Sequence, residues 1–152
     1  MKHRFLLDIM VIYHAVEGID EAHNPDATSA DLLDLIGSNC HTVVVDNVLA
    51  ERYSSHLKKL FAIPSLLYKT TEILTAIFYN SSKLFIEAAA APELPEGITV
   101  PKEDEYIVRA ALISRPLVVT AEEKLKNAIN NQPILGLRAL TPAEALELAR
   151  EM

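Results

Sequence analysis

The sequence predicts a three-layer α/β/α fold around a mainly parallel central sheet of four to five strands. Three observations carry this. First, the short runs Phe5-Leu6-Leu7, Val43-Val44-Val45 and Leu117-Val118-Val119 are apolar throughout rather than alternating, as strands covered on both faces must be. Second, segments with three- and four-residue apolar spacing separate them, so strands alternate with helices. Third, each run is followed within a few residues by a carboxylate and a helix start.

The first strand closes at Asp8, and Ile9-Met10-Val11-Ile12-Tyr13-His14-Ala15-Val16 continues with helical spacing. Residues 17–27 are polar and carry Gly18, Asn24 and Pro25, which predicts a loop. Thr28 or Ser29 can cap a helix through about Ser38, with Leu32, Leu33, Leu35 and Ile36 on its apolar side. Thr42-Val43-Val44-Val45 is β-branched throughout and reads as a strand. Asp46 ends it and can cap a helix from Asn47 to about Phe61.

Pro64 and Ser65 restart a helix whose face is Leu66, Leu67, Thr70, Ile73, Leu74, Ile77 and Phe78. That face is expected to be core, with a dimer or partner groove as the alternative. Asn80-Ser81-Ser82 interrupts it, and Lys83 to Ala91 predicts more helix, so residues 64–91 form a helical insertion or arm. Three prolines and a glycine make 92–101 a connection. Helix resumes from about Glu103 to Ser114, Pro116 breaks it, and Leu117-Val118-Val119-Thr120 is a strand. Ala121 to Asn130 predicts a helix and Ile134 to Leu137 a short strand. Thr141-Pro142-Ala143-Glu144 combines a capping threonine, a first-turn proline and a capping-box glutamate, a strong helix start.

A chain of 152 residues suits one domain with one core. No apolar run approaches the roughly 20 residues of a membrane span, and Asp8 breaks the only N-terminal candidate for a signal peptide. Cys40 is the single cysteine, which excludes an internal disulfide and a multi-thiolate zinc site. A cytoplasmic protein is expected. The formal charge of −7 argues against a protein that coats nucleic acid through bulk electrostatics. It leaves room for an enzyme whose acids are neutralised by metal ions.

In an open parallel sheet all strand C-termini share one edge, and ligands bind in the crevice there. Asp8, Asp46 and the Glu122-Glu123 pair follow the three strongest strands, Glu51 lies on the first turns of a helix behind the second, and Asp104 opens the helix leading to the third. Carboxylates gathered this way repel unless something positive sits among them. Magnesium or manganese, hard cations that take oxygen ligands, are the usual solution.

Four motifs, in order, resemble those of the PIN-domain ribonucleases, a family that includes toxin components of toxin–antitoxin pairs. They are Leu6-Leu7-Asp8-Ile9-Met10-Val11-Ile12, Val44-Val45-Asp46-Asn47-Val48-Leu49-Ala50-Glu51, Asp104-Glu105-Tyr106-Ile107-Val108-Arg109-Ala110-Ala111 and Leu117-Val118-Val119-Thr120-Ala121-Glu122-Glu123-Lys124-Leu125. Leu140-Thr141-Pro142-Ala143-Glu144-Ala145-Leu146 is similar to the family's terminal segment. The resemblance spans nearly the whole chain and is weakest over 62–100. It implies a PIN-like fold over 1–152, metal-binding and catalytic carboxylates at Asp8, Glu51, Asp104 and Glu122, and Thr120 as a hydroxyl that supports the site or positions water. It further implies Mg2+- or Mn2+-dependent hydrolysis of RNA, with RNA as substrate, an antitoxin-like protein partner and a homodimer as expected associations.

Three positions depart from the family pattern. Met10 replaces an asparagine, the fourth acid is the longer Glu122, and Lys124 stands where many members carry another acid. These departures support an alternative, a catalytically weakened PIN-like module that binds RNA or a protein partner. A third reading, a receiver-like phosphoacceptor domain, lacks the lysine it needs at the end of a late strand.

Each residue also has a plainer role available. Asp8, Asp46 and Thr120 can be helix caps, and Glu51 a solvated helix residue. Asp104, in Lys102-Glu103-Asp104-Glu105, can be part of a solvated helix start, and so can Glu122 with Glu123. Arg52, Lys58, Lys59, Arg109 and Arg115 can touch phosphates or simply be solvated. The five histidines show no ligand spacing, and no phosphate-binding glycine loop is present.

Overall fold

The computed structural model describes residues 2–151. Five strands, β1 (Arg4–Leu7), β2 (Thr42–Val45), β3 (Leu84–Ile86), β4 (Leu117–Val119) and β5 (Ala139–Leu140), pair in parallel in the order β3-β2-β1-β4-β5. Among the described residues seven α-helices surround them: α1 (Ile9–Glu17), α2 (Thr28–Ser38), α3 (Asn47–Phe61), α4 (Leu67–Ile73), α5 (Glu105–Ser114), α6 (Glu123–Asn130) and α7 (Pro142–Arg150). From β1 the chain steps outward through β2 to β3, then crosses to β4 and β5 on the far side of β1. Right-handed crossovers put the connections of these two directions on opposite faces, which makes the three layers. Helix α2 packs on α1 and α7, and α3 on α4 and α5.

The apolar runs are buried residue after residue. Phe5, Leu6, Leu7, Val43, Val44, Val45, Val118 and Val119 are all in the core, so both faces of the central strands are covered. Their unbroken hydrophobicity reflects that geometry.

Three expected elements differ from those observed. Residues 83–91 do not form a helix: Leu84, Phe85 and Ile86 pair with Val43, Val44 and Val45 as an edge strand, and 87–91 run on without regular structure. Helix propensity in this alanine-rich stretch yields to the hydrogen bonds of an open sheet edge. Ile134–Leu137 is not a strand. Pro133–Leu135 makes a 3-10 turn that ends at Gly136 with φ +65°, and the strand forms at Ala139–Leu140. The Asn130 side chain helps define it, donating to Ala139 O at 3.0 Å and accepting from Ala139 N at 2.9 Å. Helix α6 starts at Glu123 rather than Ala121, because the Glu122 amide is held by Thr120.

The face predicted for 66–78 is mainly core: Thr70, Ile73, Leu74, Ile77 and Phe78 are buried, whereas Leu67 is exposed. Its last turn, Leu74–Phe78, is a π-helical segment, and Phe78 meets the Tyr53 ring edge-on at 5.5 Å. Among the described residues no single helix is long and apolar enough to cross a membrane.

Candidate metal centre

Strand order reverses direction between β1 and β4, so a crevice opens at their C-terminal ends. The register Leu7↔Val119 brings the two ends level, and Asp8 N donates to Val119 O at 2.9 Å. Asp8 and Thr120 therefore face each other across the point where the topology switches.

Thr120 is fully buried. Its Oγ1 donates to Asp8 Oδ2 at 2.8 Å and accepts from Glu122 N at 3.0 Å. One hydroxyl thus ties the β1 carboxylate to the turn after β4. Asp8 is buried and makes no capping hydrogen bond to α1, so its carboxylate is available to the crevice. Burial raises its pKa, the Thr120 hydrogen bond and the nearby Met10 amide oppose that, and Glu122 adds repulsion.

Asp104 ends the 3-10 turn Lys102–Asp104 that leads into α5. It is 7% exposed, and its Oδ2 is buried with no hydrogen-bond partner. Its pKa is raised to about 7, first by burial, then by a carboxyl–carboxyl hydrogen bond to Glu122, then by repulsion from Glu122, Asp8 and Glu103. Two carboxyls this close favour one retained proton over two charges.

Ligand atoms of Glu103, Asp104 and Glu122 all lie within 4.8 Å of one another. Asp8 is outside this group of three, but its charge acts on Asp104. The donor set is all carboxylate, one oxygen is buried without a partner, and the acids repel. A hard divalent cation fits all three conditions, and separations of this size suit oxygen ligands at about 2.0–2.6 Å from one ion.

Glu51 is exposed on α3, and the charges that act most on Asp104 are Glu122, Asp8 and Glu103 rather than Glu51. Asp46 is the α3 cap: its Oδ1 accepts from Leu49 N at 2.8 Å. Met10 is exposed, and so is Lys124. Arg109 spends its guanidinium on the chain itself, donating to Pro92 O at 2.8 Å and to Ala91 O at 3.3 Å.

Three contributors are not singled out by the sequence, and a fourth, Arg52, only as one of five candidate phosphate contacts. Glu103 joins the acidic cluster, although its charge run by itself predicts a solvated helix start. The buried Tyr53 hydroxyl donates to Leu7 O beneath the site, and its pKa is pushed up by burial and then by Asp8. Arg52 stacks on the Tyr106 ring, 3.8 Å from its centroid. Burial raises the Tyr106 pKa, Asp8 and Asp104 add to that, and Arg52 opposes it. The only available signal was spacing, since Tyr106 lies two residues after Asp104 and Arg52 one after Glu51.

No family model matches the chain, and no curated protein matches it. Among solved structures it is similar to a PilT N-terminus domain protein from the hyperthermophilic archaeon Sulfolobus solfataricus P2. That match has a TM-score of 0.46 and 12% identity, and it covers 98% of this chain and 95% of that one.

Proposed function

We propose that the protein is a divalent-metal-dependent endoribonuclease of the PIN type, with its centre at Asp8, Asp104 and Glu122. The observation that carries this reading is Asp104: a buried carboxylate with an unpartnered oxygen, pressed against Glu122 and within the field of Asp8. Nothing structural is gained by burying such a group unless a cation completes it. The ordered motifs that resemble PIN ribonucleases add the reaction class.

Asp104 and Glu122, with the exposed Glu103 close to both, would hold the ion, and Asp8, whose charge acts on Asp104, would complete the set. A bound Mg2+ or Mn2+ supplies a water nucleophile at neutral pH and offsets the charge that develops on a phosphodiester. Thr120 keeps the Asp8 carboxylate turned into the crevice and fixes the backbone that presents Glu122. Arg52, stacked on Tyr106, whose hydroxyl feels Asp8 and Asp104, would meet a backbone phosphate there. Cytoplasmic location, a homodimer and an antitoxin-like partner belong to the same proposal; the exposed apolar side chains Leu67, Tyr68, Tyr79, Phe85 and Ile86 offer surface for a protein contact.

The alternative, a weakened module that binds RNA or protein, is favoured by one observation, the exposure of Glu51, which is outside the group of three close acids. A single assay separates the two. Highly purified wild type and Asp104→Asn are incubated with structured and single-stranded RNA in Mg2+, Mn2+ or EDTA. Cation-dependent cleavage by the wild type and none by the folded variant is the expected outcome. Equal cleavage by both, or none by either, would overturn the nuclease reading.

A further inference from the structure

Beside the acids lies a cavity of about 420 Å3 between the start of α3, the segment Ala88–Ala91 and the start of α5. That volume falls within the range of about 300–1,000 Å3 usual for small-molecule sites. Tyr106 belongs to both places, since it lines this cavity and feels the charges of Asp8 and Asp104.

The cavity wall has unused hydrogen-bonding capacity. Asp46 lines it and is 4% exposed; Oδ1 caps α3, whereas Oδ2 makes no hydrogen bond within the described residues. The neighbouring Asn47 amide is exposed and makes no side-chain hydrogen bond there either. The peptide groups of Ala88, Ala89 and Ala90, which also line it, make no hydrogen bond within the described residues. Four successive alanines bring backbone close without filling the space. Arg109 fixes the far end of this segment through Ala91 O and Pro92 O.

We propose that this cavity binds one unpaired nucleobase, and that Asp46 Oδ2 selects a base presenting an exocyclic amino group. The inference rests on the reading of the adjacent cluster as a site that works on RNA. An aromatic side chain with nearby unpaired backbone and amide groups is how splayed-out bases are recognised. A carboxylate oxygen accepts from an amino N–H and repels a carbonyl oxygen, so cytosine is preferred over uracil. The two pyrimidines have the same ring size, so a difference between them reads the hydrogen bond rather than the fit.

The test is a titration of the full chain with cytidine and uridine 5′-monophosphate, followed in 1H–15N spectra in EDTA. Cytidine monophosphate is expected to shift the amides of Asn47 and Ala88–Ala91, and to bind at least about tenfold more tightly than uridine monophosphate. Asp46→Asn keeps the cap, because asparagine caps as well as aspartate, and is expected to erase the preference. Ala89→Leu fills the cavity and is expected to weaken both nucleotides. Absence of shifts at these amides, equal affinities in the wild type, or an unchanged ratio in a folded Asp46→Asn would each overturn the proposal. The readout needs no cleavage. Shifts without nuclease activity would remove the neighbouring reading and leave this one, and activity without shifts would do the opposite.

Discussion

Thr120 Oγ1 stands between two elements far apart in sequence, donating to Asp8 Oδ2 at 2.8 Å and accepting from Glu122 N at 3.0 Å. The Thr120 side chain bonds to both, and it is fully buried. Thr120→Val keeps the shape and removes both bonds. Loss of such a supporting partner is expected to weaken divalent-cation binding by about 10–100-fold, and loss of this hydrogen bond to the buried Asp8 carboxylate to cost about 1–3 kcal/mol of stability. Thr120→Ser should restore most of both. Cation titrations followed by thermal melting, with urea unfolding in EDTA, check the two effects separately.

Asp104 makes stability without cations depend on pH. Its folded pKa, about 7, lies above the unfolded value of 3.8, so the folded state binds the proton more tightly. Its contribution is fully present below pH 3.8 and is lost as pH rises toward 7. Divalent cations need the ionised form, so their stabilisation should grow over the same window. Asp104→Asn should flatten both dependences. Urea melts in EDTA and in Mn2+ at pH 5 and pH 8 give the comparison.

Glu51 and Glu122 should behave differently. Glu122 shares the cluster with Asp104, whereas Glu51 is exposed on α3. Glu122→Gln is expected to lower RNA cleavage by two orders of magnitude or more, on the order of the loss when a group acting on the transition state is removed. Glu51→Gln should change it by less than about threefold, as is usual for a solvated helix residue. Rates measured under single-turnover conditions test this, and equal losses would return Glu51 to the ligand set.

The α7 cap predicts a stability change unrelated to the metal centre. Thr141 accepts from Glu144 N at 3.1 Å, Glu144 Oε1 accepts from Thr141 N at 3.0 Å, and Lys126 Nζ meets the same oxygen at 2.7 Å. The Lys126 hydrogen bond, then the Thr141 amide, hold the Glu144 pKa at about 2, below its ordinary 4.5. The resulting stability is present above pH 4.5 and is lost as pH falls toward 2. The pair is solvated, so this term is small. Thr141→Ala should cost about 1 kcal/mol at pH 7, and less at pH 3. Denaturant unfolding at both pH values checks it.

Much of the fold is legible along the chain. The three central strands announce themselves as unbroken apolar runs, because two-sided burial leaves no position for a polar residue. The capping box at Thr141 is equally local, since its residues lie three apart on one turn. The edge strand β3 is not legible: Lys83-Leu84-Phe85-Ile86-Glu87 followed by four alanines favours helix by propensity, and only the free edge of β2 makes it extended. Strand β5 is not legible for a similar reason, its position being set by β4 and by the Asn130 side chain.

By itself the sequence determined the α/β class, the order of the acids and their places at strand ends and helix starts, because each follows from neighbours within a turn or a strand. Tertiary structure decided which acids meet. It brought Glu103 to Asp104 and Glu122, left Glu51 exposed, assigned Asp46 to a cap, and joined Asp8 to Glu122 through Thr120. Spacing along a helix says which residues share a face. Distances between ends of different strands, and the burial that shifts a carboxyl, exist only once the sheet has closed.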